Sequence, residues 1–327
     1  MSSVNVYFHN HCFDGSVSAA LFTALHRGAR PAAAGAPPTK YHYRGLSHTA
    51  NGLFERADFD APDNAIVDFK YSRDPRVTWW FDHHQSAFLT PADAEHFKRE
   101  NSPQKFFDPN YGSCSKLIAD VGRERFGLDT APIEDLIHWA DLIDQARFPS
   151  AKAAVELKEP ALQLMLAIEG STDSEFLPRL IPDFLAFPLG DLVQREYVQR
   201  ELQPLLARHW KSLELIHQRL ECVDGVIYFD VSDLDLEGYN KFIPYYFCPD
   251  AVYCVGVSRG AQRMKVSIGS NPWMEIPHLV NLAQVCERYG GGGHARVGAV
   301  SFAREDLERA RAVANEVVAE LRRAPKP

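Results

Sequence analysis

Residues 78–84 have the sequence TWWFDHH, a short run of large side chains followed by one aspartate and two histidines. An apolar run of this length, bounded by polar residues, is typical of a buried β-strand. Two other runs share the pattern, since Val4–Phe8 precedes His9 and Ile66–Phe69 contains Asp68. Helical patterns alternate with these runs. The alternation predicts a parallel sheet covered by helices, with polar groups gathered at the carboxyl ends of the strands.

The length and pattern of the chain predict two domains of class α/β. The 327 residues exceed the usual size of one domain, and each half is long enough to bury its own core. We expect an N-terminal parallel-sheet domain over residues 1–190 and a smaller α+β C-terminal domain over residues 220–327. Between them, residues 191–219 have the pattern of a long amphipathic helix that Pro204 interrupts. This helix is the predicted linker.

The charge balance limits the class of partner. The formal net charge is −8, whereas a protein that clamps long nucleic acid usually presents a strong basic field. We therefore expect a short oligonucleotide or small nucleotide as substrate, and no long duplex nucleic acid. A homodimer is compatible with the sequence.

Other global features point to a cytoplasmic protein. No apolar run approaches the roughly 20 residues that span a bilayer, so no membrane association is expected. The first residues lack the basic segment of a signal peptide. The six cysteines are scattered without a C-x-x-C pair, as in a reducing compartment.

Four polar clusters carry the chemistry of the first half. They are His9–Gly15, Val67–Phe69, Phe81–His84 and Asp141–Asp144. Divalent cations such as Mn²⁺ prefer carboxylate oxygens with some imidazole nitrogen, and a pair of ions about 3.5–4 Å apart can activate water and stabilise a phosphoryl group. One aspartate at a strand end is as well explained by a turn or a helix cap. Four clusters that each follow a predicted element favour a metal centre.

The motifs resemble those of a known family. Asp82-His83-His84 after an apolar strand, with Asp14-Gly15 near the start, resembles the DHH phosphoesterase family. The run Gly290–Gly293 followed by His294 is similar to that family's C-terminal DHH-associated domain. The resemblance covers nearly the whole chain in the right order, and it implies a DHH domain, a helical linker and a substrate-binding domain.

The resemblance implies a role for each site residue. His9, Asp14 and His83 correspond to metal ligands, and Asp68 to a catalytic carboxylate that bridges two ions. Asp82 would orient His83. His84 corresponds to a catalytic group that contacts the phosphate. The fourth cluster, Asp141–Asp144, would supply one more metal ligand, which is Asp141 or Asp144. Asp144 is preferred, because Asp144–Phe148 resembles an Asp-Thr-x-x-Phe pattern. The implied cofactor is Mn²⁺, with two ions, although other divalent metals fit.

Two departures from the family pattern affect the expected site. Cys12 stands where much of the family has aspartate, so one metal site could be weaker, or a thiolate could favour a softer metal. Gly269 stands where an arginine is usual, and Arg296 or Arg263 could replace it. In the second domain the resemblance assigns substrate binding to Gly291, Gly292, Gly293, His294 and Arg296.

The expected function is hydrolysis of phosphodiester or phosphomonoester bonds in short oligonucleotides or small nucleotides. The branch of the family that is implied contains nanoRNases, which also dephosphorylate 3′-phosphoadenosine 5′-phosphate. Three alternatives stay open. They are a cyclic-dinucleotide phosphodiesterase, a single-strand-specific exonuclease, and a nucleotide-binding protein whose catalysis Cys12 has abolished.

Overall fold

The computed structural model describes residues 2–31, 35–47, 53–54, 58–234, 236, 238–277 and 279–325. In these ranges the chain forms two compact units. The first consists of residues 1–147 and 158–205, and the second of residues 148–157 and 206–327. The architecture is α/β with a smaller second unit, as the sequence predicted.

Five parallel strands form the sheet of the first unit, in the order β2-β1-β3-β4-β5. Their bounds are β1 Ser3–His9, β2 Lys40–Leu46, β3 Asp63–Val67, β4 Trp79–Asp82 and β5 Lys105–Phe107. The three predicted strands are β1, β3 and β4, which lie side by side at the centre. Because their carboxyl ends meet at one edge, the polar clusters that follow them converge there.

Helices cover both faces of this sheet. The helices of the first unit are α1 Phe13–Ala29, α2 Pro91–Glu100, α3 Cys114–Phe126, α4 Glu134–Asp144, α6 Pro160–Gly170, α7 Phe176–Asp183 and α8 Leu189–Val193. Helix α5 Ala151–Glu156 belongs to the second unit, and α9 Glu196–Arg219 begins in the first unit and ends in the second. Trp79 contacts Phe22 of α1, whereas its neighbour Trp80 contacts Phe97 of α2. Successive strand side chains point to opposite faces, so burial of both tryptophans explains why this strand is continuously apolar.

The second unit is built on a six-stranded mixed sheet in the order β10-β11-β9-β8-β7-β6. Its strands are β6 Glu221–Val223, β7 Val226–Asp230, β8 Tyr253–Arg259, β9 Arg263–Ser270, β10 Gly292–His294 and β11 Val297–Ala303. Its further helices are α10 Ile243–Phe247, α11 Leu282–Glu287 and α12 Leu307–Arg323. Among its described strands only β7 and β8 pair in parallel, which makes this unit α+β.

The predicted linker differs from expectation in one respect. Helix α9 continues through Pro204, where the sequence predicted an interruption. Proline removes the hydrogen bond to the carbonyl four residues earlier, but Pro204 is exposed, so water can satisfy that carbonyl. The boundary between the two units falls inside this helix, after Leu205. In the described ranges, no helix combines the length and the apolar character required to cross a membrane.

Candidate metal centre

Asp68 lies at the centre of the predicted site. It follows β3 in a left-handed backbone conformation, with φ of 55°, and its N–H donates to the carbonyl of Phe81 at 2.9 Å. The residue is only 1% exposed, and neither carboxylate oxygen has a hydrogen-bond partner within the described part of the chain. An unsatisfied buried carboxylate is costly. A cation beside this carboxylate, either a metal ion or a protonated histidine, would offset that cost.

Two histidines approach this carboxylate without reaching hydrogen-bond geometry. His9 Nδ1 lies 3.4 Å from Asp68 Oδ2, and His83 Nε2 lies 3.5 Å from Asp68 Oδ1. These separations are long for N–H···O bonds. Two ligands each about 2.1 Å from one ion, at octahedral angles, lie about 3 Å apart. The spacing therefore suits groups that share a cation.

His83 also faces two further carboxylates. Its Nε2 atom lies 3.4 Å from Asp144 Oδ2 and 3.9 Å from Asp14 Oδ2. On the other side of the ring, Nδ1 lies 3.1 Å from the carbonyl oxygen of Tyr111, which can only accept a hydrogen bond. In the neutral ring this contact places the proton on Nδ1 and leaves the Nε2 lone pair for a cation.

The potential ligand atoms fall into three overlapping groups, each within 4.8 Å. The groups are His9/Cys12/Asp68, Asp68/His83/His84 and Asp14/His83/Asp144. Asp68 belongs to two of them and His83 to two. A carboxylate shared in this way is the arrangement expected of a ligand that bridges two ions.

Backbone geometry at the start of α1 brings the first group together. A Cβ atom on Gly15 would lie 2.4 Å from the carbonyl oxygen of His9. Only glycine therefore allows α1 to approach the end of β1 so closely. Cys12 is the N-cap of α1, and its Sγ accepts the N–H of Gly15 at 3.5 Å.

Asp14 is held by the N-terminus of α3. Its Oδ2 accepts the N–H of Cys114 at 2.7 Å, and its Oδ1 accepts the N–H of Ser115 at 3.0 Å. Ser113 caps the same helix by accepting the N–H of Lys116. The partial positive charge of a helix N-terminus thus orients a carboxylate that is 1% exposed.

The electrostatics of this cluster also favour a cation. Burial and the neighbouring Asp68 raise the pKa of Asp144 to about 6, and the same two causes raise the pKa of Asp14. Burial opposes ionisation of Asp68 too, but contacts with His83 and His9 lower its pKa to about 2. Burial raises the pKa of Cys12, as do the nearby carboxylates. Crowded acidic groups that resist ionisation together fit a divalent cation.

Asp82 orients His84, whereas the sequence predicted that it orients His83. Its Oδ1 accepts both backbone N–H groups, from His83 at 2.8 Å and from His84 at 3.2 Å. The same oxygen lies 2.7 Å from His84 Nδ1, and this hydrogen bond raises the pKa of His84. The His84 side chain is 41% exposed, so its Nε2 edge is free to meet a substrate oxygen.

The two candidates in the fourth motif lie in different surroundings. Asp144 belongs to one of the three ligand groups, and Asp141 belongs to none of those formed by the described residues. Asp141 instead accepts hydrogen bonds from Ser113 Oγ at 2.9 Å and Gln145 Nε2 at 2.8 Å. It thereby ties the C-terminal end of α4 to the N-terminus of α3.

The predicted substrate residues of the second unit form a β-hairpin. Gly292–His294 pair with Val297–Ala299 as an exposed edge strand. Added Cβ atoms at Gly291 and Gly293 would meet backbone carbonyls of β11 at 2.2 and 2.3 Å, so these glycines allow close strand contact. Arg296 Nη2 donates to the carbonyls of Asn271 and Met274, which commits part of its guanidinium to the protein.

Sequence reasoning missed three contributors to the first site. They are the carbonyl of Tyr111, the amide groups of Cys114 and Ser115, and the side chain of Gln145. The sequence indicated Ser113 as the start of a helix. Tertiary packing, however, decides which carboxylate accepts hydrogen bonds from the backbone N–H groups at that helix start. No pattern in the sequence signals that pairing.

Solved structures share this fold. PggH, a pGpG-specific phosphodiesterase from Vibrio cholerae, matches with a TM-score of 0.69 at 16% identity, over 98% of this chain and 99% of that chain. The DHH domain of a protein assigned to a family of ribosomal proteins matches with a TM-score of 0.61 at 15% identity, over 97% and 86% of the two chains. RecJ from Thermus thermophilus, in complex with Mg²⁺, matches with a TM-score of 0.52 at 14% identity, over 99% of this chain and 50% of that chain.

No protein-family model matches the sequence, and neither does any curated protein. At such low identities the structural matches establish the fold alone. The chain has the two-unit fold of the DHH-domain proteins, and the resemblance predicted from its motifs is confirmed at that level.

A matched pair of substitutions tests the fourth ligand. We expect Asp144→Asn to weaken binding of Mn²⁺ at least about tenfold, because it removes a carboxylate that faces His83. Asp141→Asn should instead cost about 1 kcal/mol of folding stability through its lost hydrogen bonds and retain most metal affinity. Isothermal titration and thermal melting measure the two effects. If the two variants exchange these phenotypes, Asp141 is the ligand.

The pH dependence of Mn²⁺ binding gives a second test of Asp144 as a ligand. A carboxyl pKa of about 6, above the reference value of 3.8, means that the folded metal-free protein binds a proton at Asp144 more tightly than the unfolded chain does. That contribution to stability is present at low pH and is lost as the pH rises through about 6. Because the proton competes with the metal, apparent affinity should rise between about pH 5 and 7. Asp144→Asn should flatten this rise.

Proposed function

We propose that the protein is a divalent-metal-dependent phosphoesterase acting on short oligonucleotides or small nucleotides. The carboxylate of Asp68 carries the proposal, because it is buried, has no hydrogen-bond partner among the described residues and is shared by two ligand groups. A structural aspartate at a strand end would instead be satisfied by a turn or a helix cap. The phosphodiesterase activity of PggH, which shares this fold, supports the same reaction class.

The proposed metal ligands are His9, Asp14, Asp68, His83 and Asp144. Bound Mn²⁺, as two ions, would supply Lewis-acid activation of water and neutralise charge on the phosphoryl group. The complex of RecJ with Mg²⁺ shows that a protein of this fold holds a divalent cation. The protein's part is to fix these ligands on strand ends and helix termini, which restricts their motion.

His84 is the proposed contact to the scissile phosphate. Its Nδ1 atom is engaged by Asp82, which favours the protonated ring and orients Nε2–H away from the protein. A charged N–H donor aimed at a phosphate oxygen stabilises charge that develops during cleavage. Asp82 is therefore a positioning residue, and His84 the catalytic one.

Charge favours a short substrate over a long one. The net charge of −8 opposes binding of a polyanion whose affinity depends on how many phosphates are neutralised. A linear dinucleotide such as pGpG presents few phosphates and satisfies this limit. The cytoplasm is the proposed compartment, because the six cysteines form no disulfide, as is usual in a reducing environment.

His294 and the adjacent glycines are proposed to bind substrate through the second unit. His294 is exposed at the end of the edge strand β10, where no strand of the described residues covers it. We expect His294→Ala to raise KM about tenfold with little change in kcat, because this group would hold the substrate and not react. Steady-state kinetics on a dinucleotide measure both constants. His138→Ala, an exposed histidine on α4, is the control, and a fall confined to kcat would contradict the assignment.

The experiment that tests the proposed function is a substrate panel with controlled metal. Metal-stripped protein is assayed on pGpG, unphosphorylated dinucleotides, 3′-phosphoadenosine 5′-phosphate and cyclic dinucleotides, before and after addition of Mn²⁺. Hydrolysis of at least one small nucleotide only after metal addition supports the proposal. Binding without turnover on every member would favour the non-catalytic alternative.

A further inference from the structure

The ligand groups on the two sides of Asp68 differ in chemical softness. One side offers the thiol of Cys12 with His9, and the other offers the carboxylates of Asp14 and Asp144 with His83. Thiolate and imidazole suit Zn²⁺ and Fe²⁺, whereas carboxylates suit Mg²⁺ and Mn²⁺. The two halves of the centre therefore offer different donor sets to the metals they would hold.

The position of Cys12 points to metal binding and not only to helix capping. Serine, threonine, aspartate and asparagine are the preferred N-cap residues, whereas the sulfur that accepts the N–H of Gly15 here is a weak acceptor. The same sulfur lies within 4.8 Å of ligand atoms of both His9 and Asp68. A cap alone does not require this convergence.

A second observation marks this space as a ligand site. Asp68 is 1% exposed, and both of its carboxylate oxygens are unpartnered among the described residues. Its Oδ2 atom lies toward His9, and its Oδ1 atom lies toward His83. One carboxylate therefore offers an oxygen to each half of the centre.

We propose that the metal centre is asymmetric, with Cys12 as a thiolate ligand of a Zn²⁺-type cation in the half that also contains His9. The other half, with Asp14, His83 and Asp144, holds a harder cation such as Mn²⁺, and Asp68 bridges the two. On binding, the Cys12 thiol releases its proton to solvent and the sulfur donates an electron pair to the metal. This assignment rests on the proposed metal-dependent function and specifies which cation each half selects.

Absorption spectroscopy of the Co²⁺-substituted protein tests directly whether a sulfur atom binds the metal. Co²⁺ added to metal-stripped protein should produce visible absorption bands from bound metal and a near-ultraviolet band from sulfur-to-cobalt charge transfer. Cys12→Ser should lose the near-ultraviolet band and keep the visible bands. Cys222→Ser, which alters an exposed cysteine of the second unit, should keep both.

Metal competition gives an independent measurement. Cys12→Asp replaces the soft donor by a hard one, so the ratio of Mn²⁺ to Zn²⁺ affinity should rise at least about tenfold over the wild-type ratio. Circular dichroism establishes that each variant is folded. Should Cys12→Ser be unfolded, the spectrum of Cys12→Asp decides the question in its place.

The outcomes separate the two proposals. Visible bands without a near-ultraviolet band in the wild-type protein would overturn the role of Cys12 and leave the metal-dependent function intact. The same conclusion would follow if Cys12→Ser kept the near-ultraviolet band. A failure of Co²⁺, Mn²⁺ and Zn²⁺ to bind at all would overturn both proposals.

Discussion

Asp68→Asn is expected to lower the metal-dependent rate of phosphoester hydrolysis about 10³-fold or more. Metal ions contribute several kcal/mol of transition-state stabilisation, and each 1.36 kcal/mol corresponds to a factor of ten in rate. Asp68 presents one oxygen toward His9 and the other toward His83, so its loss weakens both halves of the centre. The measurement is kcat/KM on a dinucleotide at saturating Mn²⁺.

Asp63→Asn is the matched control for this variant. Asp63 is a buried aspartate at the start of β3, the strand that Asp68 follows, but its partners are His26 and Arg30. This substitution should lower thermal stability and leave the rate of the folded protein near the wild-type value. Retention of wild-type turnover by Asp68→Asn would contradict the proposed centre.

Chain length of the substrate is the second large effect we expect. Activity should be highest on species of a few nucleotides and fall about 10²-fold on long single strands at physiological salt. A net charge of −8 gives the protein little attraction for additional phosphates, since affinity for a polyanion depends on how many phosphates the protein neutralises. Substrates of every length present the same scissile phosphate to the proposed metal centre, so only the additional phosphates differ.

Oligonucleotides of one sequence and increasing length, assayed at a fixed concentration of scissile bonds, measure this dependence. Raising the salt concentration should narrow the difference, because screening weakens the repulsion between the net negative charge of the protein and the extra phosphates. Equal rates on a dinucleotide and a long single strand at physiological salt would favour the exonuclease alternative.

The residues that the sequence predicted as metal ligands lie together around Asp68, but the preference for Asp144 over Asp141 in the fourth motif had no structural basis in the sequence. Asp141 and Asp144 are three residues apart on α4, so both lie on the same side of the helix. What separates them is the contact of Asp141 with Ser113, which begins a different helix. Spacing along one helix carries no information about that neighbour.

Two other features, the contacts of the glycines at 291 and 293 and the partner of Asp82, depend on packing that the sequence does not reveal. The glycines at 291 and 293 were predicted to bind substrate, and the structure shows that they also permit the close approach of β10 to β11. The resemblance implied that Asp82 orients His83, and Asp82 contacts the backbone N–H of His83 but the side chain of His84. In both cases the residue type was informative, and its partner depended on local backbone geometry.

The central strands were predictable for a physical reason. A parallel strand buried on both faces must be apolar at every position, and Trp79 and Trp80 meet that condition on opposite faces of the sheet. The edge strand β2 is half exposed and carries Tyr41, His42 and Arg44. Its pattern is therefore indistinguishable from that of a polar loop.

The most direct test of the metal-dependent phosphoesterase is turnover of a small nucleotide by protein stripped of metal and then titrated with Mn²⁺. We expect no hydrolysis of pGpG or of a related short nucleotide by the stripped protein, and a rate that rises with Mn²⁺ and is abolished by chelator. In the same series, Asp68→Asn should show no response to the metal. Hydrolysis that proceeds equally well in excess chelator, or a wild-type metal response in Asp68→Asn, would contradict the account.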